Sequence, residues 1–191
     1  MRARLFVTLI GLLLTFAVAG CNPYVAAVSA ASATYGAATD ERSLSTQISD
    51  TDIEAQIKAA LLQSPVSGTD GISAYSRRGV VVLTGVVPPG STAGTAAVQI
   101  ARGTPGVKRV ETFFVTAQPS KLDDFEIKEK IKAAFIADPS VTAGQVDIAV
   151  YAGHVVLIGV VANPEQIDRF INDASGVSGV VSVRSYIQVA A

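Results

Sequence analysis

The chain has 191 residues, 49% of them hydrophobic, with one Cys, one His, no Trp, and 15 basic against 16 acidic side chains. A formal charge of −1 gives no basic field for wrapping nucleic acid. One Cys cannot form an internal disulfide, one Cys with one His cannot make an ordinary zinc site, and one His leaves little for triad chemistry. No catalytic residue and no metal site is assigned.

Met1-Arg2-Ala3-Arg4 is basic, and the apolar run Leu5 to Ala17 is too short to span a bilayer comfortably. Residues 1–20 therefore read as a secretory signal, and they supply most of the high mean hydropathy of +0.42. The run ends in Val18-Ala19-Gly20-Cys21, which resembles the lipobox of bacterial lipoproteins. The resemblance implies cleavage before Cys21, a diacylglycerol on its sulfur, and an N-acyl chain such as palmitate on the new amino group. No other cofactor is expected. Ala17-x-Ala19 also suits an ordinary signal peptidase, with a soluble periplasmic product. Asn22 after the Cys is compatible with export to the outer membrane under the sorting rules for such lipoproteins. Loss of Arg2 and Arg4 takes the formal charge from −1 to −3.

Residues 21–48 read as the lipidated N-terminus and an Ala/Ser/Thr-rich tether, with too little apolar periodicity to build a core. A short helix within residues 25–33 is compatible with the alanines, although nothing caps it. As a flexible chain the tether has a root-mean-square span of about 30 Å.

The remainder is a repeat. An offset of 74 superposes Ile57-Lys58-Ala59-Ala60-Leu61 on Ile131-Lys132-Ala133-Ala134-Phe135, and Pro65 on Pro139. The same offset lays the Val-rich run from Gly79 to Val87 on that from Gly153 to Val161; over residues 52–87, 13 of 36 positions are identical. An offset of 73 then aligns Gly103, Gly106, Val107 and Val110 with Gly176, Gly179, Val180 and Val183. The expected units are 49–117 and 121–191, joined by a linker at 118–120.

Within each unit Ile53, Ile57, Ala60 and Leu61, or Ile127, Ile131, Ala134 and Phe135, fall on one face of a helix. Asp50 or Thr51, and Asp123 or Asp124, are expected to cap these helices. Two β-branched runs flank Arg77-Arg78-Gly79 or Ala152-Gly153 and predict a hairpin. A second helix is clearest over Pro164 to Ser175, and in the first copy Gly90 and Gly94 weaken it. A final strand closes each unit, over residues 107–116 and 180–189. The order is αββαβ, and the helical crossover predicts a parallel third strand: an α+β fold with a mixed three-stranded sheet packed against two helices.

This pattern resembles the BON domain, a bacterial αββαβ module with a characteristic Gly in its second strand, here Gly85 and Gly159. With the lipobox, and with Ala38 to Gln47 ahead of the first unit, the chain is similar to dual-BON-domain outer-membrane lipoproteins of the division- and stress-associated type. The resemblance implies a non-enzymatic protein, lipid-anchored in the outer membrane and facing the periplasm, that supports envelope integrity. It also implies that the first helix of the second BON domain contacts anionic phospholipid. Here that helix covers residues 125–137, and the side opposite its core face carries Phe125, Lys128, Glu129, Lys132 and Ile136. An aromatic, two lysines and an outward Ile make an interfacial surface. Lysines at helical spacing equally form a solvated face, and the second unit carries a net −3 against +1 for the first, so any attraction is local. Anchor and helix together would act as an avidity device.

Lesser candidates are the basic pairs Arg77-Arg78 and Lys108-Arg109, His154 beside a turn, and Asp123-Asp124, which suit a helix start. The competing reading is a protein-interaction adaptor for an outer-membrane assembly or cell-wall-remodelling machine, using a sheet face or a sheet edge.

Overall fold

The computed structural model describes residues 40–116 and 121–190. The signal segment, Cys21, the tether up to residue 39 and the linker lie outside the described residues. Domain 1 contains α1 (Leu44–Gln63), β1 (Ile72–Arg77), β2 (Val80–Val86), α2 (Ala93–Gly103) and β3 (Arg109–Val115). Domain 2 contains α3 (Lys121–Ala137), a 3-10 turn (Ala143–Gln145), β4 (Val146–Tyr151), β5 (His154–Val161), α4 (Pro164–Ser175) and β6 (Ser182–Val189). Each sheet is mixed: β1 and β4 are antiparallel to the central strands β2 and β5, and β3 and β6 are parallel to them. Helical crossovers α2 and α4 make those parallel pairings reachable.

The predicted core faces are buried. Ile53, Ile57 and Leu61 of α1 meet Val81 and Leu83 of β2 and Ala93, Ala97 and Ala101 of α2. In domain 2, Ile127, Ile131 and Phe135 meet Val155 and Leu157 of β5 and Phe170 and Ala174 of α4. Phe135 and Phe170 pack edge to face with centroids 4.7 Å apart. Such a pair contributes about 1 kcal/mol beyond its area burial.

The expected caps are corrected. The N-cap of α1 is Ser43, whose side chain accepts from Thr46 N, so the helix begins inside the stretch read as tether. Arg42, also in that stretch, bonds to Asp40 and Asp50 at 2.6 Å each. Asp50 lies within α1, 2% exposed, and its carboxylate holds the β1–β2 turn: Oδ2 accepts from Arg78 N at 2.7 Å, and Oδ1 from Gly79 N at 2.9 Å and Ser76 Oγ at 2.7 Å. Burial alone would raise the Asp50 pKa, but the bonds from Gly79, Ser76, Arg78 and Arg42 hold it below the ordinary carboxylate range. Asp124 repeats the arrangement, accepting from Ala152 N and Gly153 N at 2.9 Å each. It too lies inside its helix, which begins at Lys121 and not at residue 125.

These carboxylates explain the turns. Arg78-Gly79 and Ala152-Gly153 all have positive φ, the two-residue hairpin geometry that matches strand twist. Arg78 and Ala152 tolerate a left-handed backbone because the buried Asp beneath each turn binds both of its N–H groups. The strand glycines serve close approach: a Cβ on Gly85 would sit 2.8 Å from Gly71 O, and one on Gly159 would collide with Gln145 O.

The two sheets pack against each other through the faces that carry no helix. Val82 of β2 meets Ala149, Val156 and Ile158 of domain 2, with Tyr75, Phe113, Tyr151 and Tyr186 around them. Thr84 Oγ1 and Tyr151 Oη are 2.9 Å apart, and Tyr186 Oη donates to Thr112 O at 3.0 Å. Arg77 pairs with Glu54 of its own domain and with Asp147 across the interface. Gln188 Nε2 donates to Arg77 O at 3.0 Å, and Arg78 Nη1 to Val189 O at 3.1 Å. The turn of domain 1 thus meets the end of domain 2 opposite that domain's own turn, so the sheets pack head to tail. The layers run helices, sheet, sheet, helices.

Candidate functional site

The two small domains leave few surfaces free. The core sides of both sheets are covered by helices and the other sides by each other. The adaptor reading on an exposed sheet face is thereby corrected: in both central strands that face is buried between the domains. Outward helix faces, sheet edges and loops remain.

The outward face of α3 carries the residues expected there. Phe125 is 60% exposed and Ile136 75% exposed. At 100° per residue, Phe125, Lys128, Lys132 and Ile136 lie within an arc of about 80° along about 16 Å of helix. The Lys132 ammonium is 2.8 Å from Glu129 Oε1, and Lys130 is 3.7 Å from Glu126. Lys128 makes no salt bridge or hydrogen bond among the described residues. Partial burial lowers its pKa, and the neighbouring Lys132 charge adds to the shift. The face is therefore an apolar pair bracketing two lysines, Lys132 paired with Glu129 and Lys128 close enough to feel the same carboxylate. Such an array can place ammonium groups at headgroup level while an aromatic ring enters the acyl boundary.

His154 Nδ1 lies 2.8 Å from Ser182 Oγ at an exposed strand start, and among the described residues no salt bridge supplies that pair with an orienting carboxylate. Of the basic pairs, Arg77 is consumed by the interface and Arg109 by Glu111 at 3.2 Å. Arg78 and Lys108 come together, because Lys108 N donates to the turn carbonyl of Gly79 at 2.8 Å. The sequence reading missed a second apolar stripe on α1. Leu44, Ile48 and Leu62 are 67%, 55% and 61% exposed, opposite the core face. Their spacing of four and then fourteen residues, a helical stripe out of phase with Ile53, Ile57 and Leu61, was the available signal. No helix of the described residues is long and apolar enough to cross a membrane.

A family model agrees with this two-domain architecture. The BON domain model matches residues 49–118 and again 123–191. Osmotically-inducible protein Y of Escherichia coli (strain K12) is 29% identical over 96% of each chain. Outer membrane lipoprotein DolP of Haemophilus influenzae is 32% identical over 153 residues, covering 76% of this chain and 77% of that protein. The C-terminal domain of CdsD, a type III secretion structural protein of Chlamydia trachomatis, aligns over 74% of this chain at 14% identity with a TM-score of 0.31. The chain belongs to the BON-domain family, with two tandem copies of the module.

Proposed function

We propose that the protein is a lipid-anchored constituent of the outer membrane, facing the periplasm, that supports envelope integrity by contacting anionic phospholipid through α3 of domain 2. Similarity to an outer membrane lipoprotein supports the location, and the lipobox-like Val18-Ala19-Gly20-Cys21 supports a diacylglycerol and N-acyl anchor on Cys21. The observation that carries the lipid contact is the shared outward arc of Phe125, Lys128, Lys132 and Ile136, exposed except for the half-buried Lys128. Acyl chains gain about 0.8 kcal/mol per buried CH₂, so the anchor supplies residence and the helix face supplies preference for lipid charge.

The test is co-sedimentation of the mature chain carrying Cys21→Ser, with vesicles of phosphatidylcholine alone or mixed with phosphatidylglycerol. Binding is expected on the mixed vesicles. The variant Phe125→Ala/Lys128→Glu/Lys132→Glu reverses two charges and removes the ring, so its α3 contact should weaken by at least about thirty-fold. Equal binding by that variant, or equal failure on both vesicles, refutes the lipid role of α3. Intact-mass measurement of the membrane-extracted protein tests the anchor: three acyl chains on a chain beginning at Cys21 support it, and an unmodified chain beginning at Gly20 removes it.

A further inference from the structure

The first helices of the two domains are copies, and the places where they diverge point to a different kind of surface on domain 1. At the offset of 74, Phe125, Lys128, Glu129, Lys132 and Ile136 of α3 correspond to Thr51, Glu54, Ala55, Lys58 and Leu62 of α1. Domain 1 has no aromatic on this face, and an acid replaces one of the two lysines. Glu54 is turned onto the sheet, where its carboxylate accepts from Ser76 N at 2.7 Å and Arg77 Nη1 at 2.9 Å. Ala55 stands where domain 2 has the Glu129 that pairs with Lys132. Lys58 accordingly makes no salt bridge or hydrogen bond among the described residues, and Leu62 beside it is 61% exposed. This face of α1 is one wall of an open cavity of 440 Å³, and Ile72, Ser73, Ala74 and Tyr75 of β1 form the other.

Strand β1 is a sheet edge, hydrogen-bonded to β2 alone. The two-residue turn makes Arg77 and Val80 a bonded pair, so the backbone groups of Ser73, Tyr75 and Arg77 face β2 and those of Ile72, Ala74 and Ser76 face away. Glu54 holds Ser76 N, and Ile72 N donates to Thr69 O at 3.1 Å. Ala74 N–H, Ala74 C=O and Ile72 C=O are left without partners among the described residues. A chain laid antiparallel along β1 meets all three: its residue opposite Ala74 exchanges two bonds, and the N–H two residues later reaches Ile72 O. The wall then selects side chains. The residue opposite Ala74 points to the same face as Ala74, which packs on the helix side of the sheet. Helix α1 runs antiparallel to β1, since Glu54 meets Ser76 and Leu61 O accepts from Thr69 Oγ1 just ahead of the strand. Lys58 and Leu62 are about 6 Å apart along the helix, close to the roughly 7 Å between side chains two apart on a strand. An acidic side chain set against Lys58 therefore places the side chain two residues later against Leu62.

We infer that the groove between α1 and β1 binds an extended protein segment of the pattern acid-x-apolar, which adds to the sheet as a strand beside β1. The inference goes beyond the lipid reading of α3 and does not depend on it. A second copy of the chain fits the edge less well. Pairing β1 with itself about Ala74 sets Ile72 O against a Ser76 N that Glu54 already holds, and one of the three groups stays unmet.

The probe is a fluorescent peptide of threonines, chosen as strand formers, carrying one glutamate and, two residues later, one valine. Its anisotropy with the mature chain carrying Cys21→Ser is expected to rise and saturate. Methylating the backbone nitrogen of the glutamate removes the donor to Ala74 O with the protein unaltered, and should abolish binding. Lys58→Glu changes an exposed side chain and should weaken binding at least about tenfold, and a peptide with lysine in place of the glutamate should bind that variant instead. The variant Phe125→Ala/Lys128→Glu/Lys132→Glu should bind the peptide as the parent does, which separates this groove from the α3 face. No saturable binding, equal binding of the methylated peptide, indifference to Lys58→Glu, or loss in the α3 variant overturns the inference. So does a chain that sediments as a dimer, loses the dimer in Lys58→Glu and ignores the peptide, because the edge then belongs to a second copy.

Discussion

Removing the carboxylate of Asp50 should cost more than removing its counterpart Asp124, although the two occupy equivalent places in the repeat. Asp124→Ala strands the two backbone N–H groups of the Ala152-Gly153 turn. At about 1 kcal/mol for each stranded donor, the loss is about 2 kcal/mol. Asp50→Ala strands the N–H groups of Arg78 and Gly79, the Ser76 hydroxyl, and one of the two acidic partners of the Arg42 guanidinium. Because Asp40 remains on Arg42, the cation is not orphaned, and the loss is about 4 kcal/mol. For a cooperative unit of this size 1 kcal/mol moves Tm by about 3 °C, so the shifts are about 12 °C and about 6 °C. The folded Asp50 pKa is depressed, so its contribution is present above the unfolded value of about 3.9 and is lost as pH falls through the folded value. Urea unfolding of both variants, at neutral pH and along an acid series, reads these quantities. Equal losses for the two variants, or an Asp50→Ala chain with the parent's acid dependence, would refute the assignment.

Two further outcomes follow from close packing and from burial. Gly159→Ala should destabilise by about 3 kcal/mol in urea, since the new Cβ would collide with Gln145 O and approach Val146 Cγ2 to 2.9 Å. Gly176→Ala, whose nearest neighbour would lie 3.6 Å away, should stay within about 0.5 kcal/mol, and similar losses at both sites would contradict the packing argument. Tyr75 has its phenol pKa pushed up to about 12, first by burial and then by Tyr151 and Glu54. Its raised folded value means that its contribution is whole below about pH 10 and is lost as pH rises towards 12. An ultraviolet titration should show a late-ionising tyrosine that disappears in Tyr75→Phe; persistence of that step would place it elsewhere.

The element order, the mixed sheets and the core face of each helix were legible because the repeat supplied every signal twice. Ile53, Ile57 and Leu61 have a buried counterpart in Ile127, Ile131 and Phe135, and both Gly-containing turns fall between β-branched runs. The exposed arc of α3 was legible for the same reason: once the core face was set, the opposite side followed by rotation. Element starts were not. Asp50 looks like a cap because it precedes the first core Ile, but capping residues and buried turn-binding acids share one chemistry, acceptance from backbone N–H. The preceding turns, with Leu44 and Ile48 facing outward, carry no core periodicity to announce a helix. The sheet-to-sheet interface was half visible. The almost wholly apolar runs of β2 and β5, broken in β2 only by Thr84, say that both faces of each central strand are buried, as in sheets covered on both sides, but a pattern along one strand cannot name its cover. Arg77 illustrates the gap, since charge at a hairpin end reads as solvated until Asp147 of the other domain arrives.

The interface also constrains how the protein meets a membrane. Burying the helix-free face of one sheet against that of the other turns two domains near the lower size limit for independent folding into one larger core. It also fixes α1 and α3 in opposite outer layers. A flat bilayer that takes the Phe125–Ile136 face of α3 leaves the Leu44–Ile48 end of α1 in the outer layer turned away, and the reverse orientation leaves α3 in that place. On the proposed α3 contact, the exposed Leu44 and Ile48 therefore stay clear of the same bilayer. Whichever face is turned away from a bilayer keeps exposed apolar side chains, Leu44 and Ile48 on α1 or Phe125 and Ile136 on α3.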